Sequence, residues 1–126
     1  MNIWFNEVIE RHIAIEAWLS QAQGDVDLLL SHFTHDFQMI GLSGAKLDFS
    51  ALQAFFNSHG GKRPGLTIAI DELTLINHQA DSAVVQYREV QRLPGQPEHV
   101  RRSCVVLQEI NQKIVWRYLQ ETTVTA

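Results

Sequence analysis

His12 and Glu16 stand four residues apart in a segment with helical apolar spacing. At that spacing a carboxylate can orient an imidazole and raise its pKa, as an acid–base or ligand-orienting pair requires. The plainer reading of His12 is a satisfied, half-buried histidine. Glu89 lies on a candidate strand with Tyr87. Turned inward, Glu89 would be a desolvated carboxylate with a raised pKa, suited to a general base; turned outward it is an ordinary surface charge. His32 and His35 are three apart and suggest a metal pair on a helical face. Phe33, expected to point inward, sends both histidines outward, so no metal site is expected. Cys104 is expected to be packing, because no basic neighbour is implied that would activate it. His59, His78 and His99, and the basic pairs Lys62-Arg63 and Arg101-Arg102, read as solvated edges. The glycine and serine contexts match neither a phosphate loop nor a nucleophile elbow, and no cofactor is expected.

These groups need a scaffold. The 126 residues suffice for one domain, expected to span 1–126, and 45% hydrophobic residues supply a core. Ten Lys and Arg against 14 Asp and Glu give a net charge of −4, which argues against nucleic-acid or anionic-membrane partners. The single cysteine excludes an intrachain disulfide. No apolar run approaches the roughly 20 residues that span a bilayer. The N-terminal residues lack the pattern of a signal peptide, so a cytoplasmic location is expected.

Trp4, Phe5, Val8, Ile15, Trp18, Leu19 and Ala22 share one side of a helix over 3–22. Asp25 is expected to cap a second helix, and Asp48 a third running to about Ser58. Phe37 to Ile40 is a short candidate strand. From Leu66 the period becomes two, with strands expected at 66–76, 83–92, 100–108 and 114–122. Helices first and consecutive antiparallel strands afterwards predict an α+β fold. A two-residue turn at Asn111-Gln112 pairs Leu107 with Trp116, Val105 with Tyr118 and Ser103 with Gln120. That face is taken as the inner one. Arg102, Cys104, Arg117, Glu121, Val106 and Leu119 fall on the other, and one bulged residue would exchange the two.

Ala17-Trp18, Gly24-Asp25 with Leu29-Leu30, Phe33 to Phe37, Gly44, Leu52 with Phe55-Phe56, and Tyr118 to Thr122 resemble the nuclear transport factor 2-like (NTF2-like) superfamily, in its SnoaL-like branch. The resemblance covers about Ile3 to Thr122. It implies a cone: about three N-terminal helices packed on a curved antiparallel sheet, with a pocket lined by the first helix, often in a homodimer joined through the outer sheet face. Ketosteroid-isomerase-like members carry a base on the strand after the second helix, whereas Gln38 to Lys46 contains no acid. Ser103 or Cys104 stands where those relatives have a second acid, and Gln120 where many have histidine. The expected activity is binding of a small hydrophobic or aromatic molecule by a homodimer. His12, Tyr87, Tyr118 and Gln120 would be the polar groups, and Trp18, Phe37, Phe55 and Trp116 the walls. The alternatives are an isomerase, dehydratase or cyclase using His12 or Glu89 as base, and a non-catalytic dimerisation module.

Overall fold

The first helix, α1 (Ile3–Gln21), is started by Asn2, whose side chain accepts from the backbone N–H groups of Trp4 (2.9 Å) and Phe5 (3.1 Å). It stops at Ala22, which adopts a left-handed conformation and is exposed rather than part of the apolar face. The computed structural model describes residues 2–125. Asp25 caps α2 (Val26–Leu30), and Asp48 caps α3 (Phe49–His59) through the N–H of Ala51 at 2.9 Å.

The six strands are β1 (Phe33–Ile40), β2 (Lys46–Asp48), β3 (Thr67–His78), β4 (Ser82–Arg92), β5 (His99–Ile110) and β6 (Lys113–Thr123). They form one sheet in the order β2-β1-β6-β5-β4-β3. The fold is α+β. The sheet is mixed rather than wholly antiparallel, because β1 lies parallel to β6. The long excursion through α3 and β3 to β5 returns the last strand beside the first, running the same way. β1 starts earlier than Phe37, which removes His32 and His35 from any shared helical face: His32 ends a turn and His35 lies on the strand.

β4, β5 and β6 form a meander whose inner residues alternate as the period-two pattern predicts. Asn111 and Gln112 both have positive φ (52° and 65°), the geometry of a type I′ hairpin turn. Beyond Trp116, β6 departs from the expected register. Leu107 pairs with Trp116, but Val106 pairs with Tyr118 and Val105 with Leu119, leaving Arg117 as an extra residue. This bulge reverses the alternation. Leu119 and Glu121 face inward, while Tyr118 is half-buried outside and Gln120 is exposed.

α1 packs over β3 and β4, while α3 packs over β1 and β2. The helices thus cover opposite ends of the sheet. Further bulges in β3 bend that edge, one beside Glu72, whose φ is +52°. The fully buried side chains Val8, Phe37, Val85, Tyr87, Val105, Leu107 and Trp116 form the centre of the core between these layers.

Candidate functional site

The open end holds a cavity of about 580 Å³. Ile15 and Leu19 of α1, Phe33, Phe37 and Met39 of β1, Leu52, Phe55 and Phe56 of α3, and Trp116 and Leu119 of β6 make its walls apolar. The volume falls within the range of small-molecule sites, about 300–1,000 Å³. The charged side chains His12, Arg63, Glu89, Arg101 and Glu121 reach the lining with Gln91, and contacts along β4, β5 and β6 group most of them on one side.

The sequence singled out His12 and Glu89 separately, and the fold brings them together. His12 Nδ1 donates to the Val8 carbonyl oxygen at 2.7 Å. Its Nε2 is 3.2 Å from Glu89 Oε1, an ion pair without an aligned hydrogen bond. The ring sits between Tyr87 and Trp116, with centroids 5.4 and 5.7 Å away. Glu16 is not its partner. Glu16 accepts from the Ile68 N–H at 2.6 Å, fastening α1 to β3.

Glu89 points inward and is 2% exposed, but its pKa is not raised. Burial alone would push it up. The His12 contact and charge, the Arg101 charge and the Gln91 hydrogen bond together outweigh burial and hold it at about 2. Burial pulls His12 down, yet the contact with Glu89, the Glu89 charge and the Val8 hydrogen bond raise it above 6.5. Both shifts run in the direction that favours the charged pair. Glu121 moves the other way: burial, reinforced by the Glu89 charge, raises its pKa against the pull of Arg101.

Arg101 does not lie on a solvated edge. It stands opposite Glu89 across the β4–β5 ladder, and its Nη1 donates to Glu121 Oε2 at 3.2 Å. Its Nε is buried without an acceptor, as are the hydroxyls of Tyr87 and Ser103 beneath the cavity.

Of the expected walls, Phe37, Phe55 and Trp116 line the cavity. Trp18 does not. It donates from Nε1 to the Phe56 carbonyl oxygen (2.8 Å) and lies so close to Gly60 that a Cβ there would fall 2.7 Å from its ring. Tyr87 is fully buried behind His12 rather than exposed to the cavity. The β6 bulge puts Tyr118 and Gln120 on the outer face, where the tyrosine hydroxyl donates to Gln120 Oε1 at 3.3 Å. Sequence reasoning missed Arg101 and Glu121. Both are charged residues near strand ends, and only the register shows which way they turn. Among the described residues, no cluster of three or more His, Cys, Asp or Glu side chains has the arrangement of a metal site, and no helix is long and apolar enough to cross a membrane.

No family model matches the chain, and no curated protein matches it. Solved structures do. A cystatin-like-fold protein of unknown function from Nostoc punctiforme is 16% identical, with a TM-score of 0.73 over 100% of this chain and 95% of that one. An NTF2-like protein from Cytophaga hutchinsonii is 15% identical, with a TM-score of 0.77 over 98% of this chain and 100% of that one. These two share the fold. An NTF2-like protein of unknown function from Pseudomonas aeruginosa is 37% identical, with a TM-score of 0.92 over 97% of this chain and 98% of that one. Identity at that level across both lengths, on the same helices and sheet, shows that this chain belongs to the NTF2-like family.

Proposed function

We infer that the protein binds a small, mainly hydrophobic or aromatic molecule in its cavity, as a cytoplasmic homodimer. The observation that carries this reading is the cavity itself: about 580 Å³, apolar on most sides, with most of its charged groups gathered on one. A purely structural module would fill that space with side chains. Proton abstraction beside a carbonyl is the weaker reading. Glu89, the buried carboxylate nearest His12, is held at about 2 and makes a poor base.

The homodimer rests on the outer sheet face. Val84, Val106 and Tyr118 form a half-buried row across β4, β5 and β6. Leu119, expected on that face, has moved inside and Tyr118 has taken its place. A second sheet would cover this row.

Native mass spectrometry tests both parts. The expected spectrum shows twice the chain mass, with a small apolar compound released by solvent extraction or taken up from an added hydrophobic panel. A monomer that retains nothing and gains no thermal stability from the panel would overturn the reading.

A further inference from the structure

The charged side of the cavity has a sign. Arg63 and Arg101 supply two fixed positive charges to the lining, beside His12 and the carboxylates of Glu89 and Glu121. His12 is matched by Glu89, and Arg101 by Glu121. Arg63 has no carboxylate within ion-pair distance among the described residues. It is held in place by its backbone, whose N–H donates to the Leu19 carbonyl oxygen at 2.9 Å. His99, at the start of β5, lies outside the lining and keeps a buried Nε2 without a partner. Burial and the charges of Arg101 and Arg63 lower its pKa, so each of the two guanidiniums acts on that end of β5. The buried Arg101 Nε–H also lacks an acceptor. A ligand carboxylate that reaches the guanidinium groups on the lining gains both charge and hydrogen bonds.

We propose that the ligand is a monocarboxylic acid with an apolar or aromatic tail, its carboxylate set against Arg63 and Arg101 and its tail among Phe37, Phe55 and Trp116. This rests on the binding function inferred above and names the chemistry of the ligand. Arg63, the lining guanidinium without a carboxylate among the described residues, matches one negative charge. A dianion such as a phosphate monoester would face Glu89 and Glu121 with its second charge uncompensated.

The test is calorimetric titration with 4-phenylbutanoate and with its uncharged primary amide, on the wild-type protein and on Arg63→Met and Arg63→Lys. Wild-type protein should bind the acid at least about tenfold more tightly than the amide. Arg63→Met should bring that ratio close to one, and Arg63→Lys should keep part of it. Thermal melts confirm that each variant is folded. Equal binding of acid and amide by wild-type protein would overturn the carboxylate proposal and leave the hydrophobic-binding function standing. A ratio unchanged in Arg63→Met would also overturn it. Failure of both compounds to bind would overturn the proposal and the binding function together.

Discussion

Glu7 and Glu89 are both buried carboxylates, and each faces a cation carried by α1. Their surroundings differ in one respect. Glu7 takes a two-pronged contact from Arg11, Nε to Oε2 at 2.9 Å and Nη2 to Oε1 at 3.1 Å. The Trp116 indole adds a third donor at 2.9 Å. Both oxygens are satisfied from within the chain. Glu89 has one good donor, Gln91 at 2.6 Å, and its other oxygen holds only the off-axis His12. Around it, donors on Tyr87, Ser103 and Arg101 also lack partners. A carboxylate with both oxygens satisfied fixes geometry, whereas Glu89 reaches the cavity lining together with His12, Gln91 and Arg101, where a ligand can meet them. The Glu7 cluster holds the Trp116 ring, which lines the cavity whose polar side the Glu89 cluster forms.

The sharpest way to break this contrast is to remove Glu7. Arginine cannot shed its proton, so Glu7→Leu strands a buried guanidinium and an indole N–H. We expect a loss of about 3–5 kcal/mol of stability, measured by urea denaturation. A loss below about 1 kcal/mol would mean that the cluster is not structural.

Glu89→Gln should cost less, about 1–2 kcal/mol at pH 7, although Glu89 is the more deeply buried of the two. The reason lies in the partner. His12 can release its proton and become a neutral ring, still held by Val8. Equal losses for the two variants would erase the distinction between a fixed and a titratable cation.

That same property sets a pH dependence. The His12 pKa is raised from 6.5 in the folded protein, so its stabilisation is fully present below 6.5 and is lost as pH rises through the folded value. Glu89 is lowered from 4.5 to about 2, so its share is present above 4.5 and is lost as pH falls toward 2. Melting curves of wild type and Glu89→Gln should therefore converge at both extremes and differ most between pH 4.5 and 6.5. A constant gap across the whole range would show that the pair does not titrate as a unit.

The sequence singled out His12 and Glu89 of one cluster and neither Glu7 nor Arg11 of the other. His12 stood out by its helical phase and Glu89 by strand alternation, but nothing local joins a residue of α1 to one of β4. Glu7 and Arg11 have the spacing of a surface helix pair, and they are buried because Trp116 arrives from the last strand. The helix caps, the hairpin turn and the long strands were legible because their signals are local. β2 was not, being three residues with no period of their own. Nor was the parallel pairing of β1 with β6, which depends on the whole path of the chain. The β6 face failed for the narrowest reason: one extra residue at Arg117 reverses every side chain after it.

That bulge gives the test with the smallest expected effect and the clearest sign. Gln120 is exposed on the outer face and Glu121 faces the cavity beside Arg101. Gln120→Ala should change stability by less than about 0.5 kcal/mol and leave the affinity for 4-phenylbutanoate untouched. Glu121→Gln removes the carboxylate that competes for Arg101 and repels an incoming acid, so binding of 4-phenylbutanoate should tighten a few-fold while the amide changes less. Had the hairpin kept its register to the end of β6, the roles would be exchanged: Gln120→Ala would alter binding and Glu121→Gln would not. Calorimetry on these adjacent substitutions therefore reads the direction of the last strand in solution, and with it which polar groups the cavity presents.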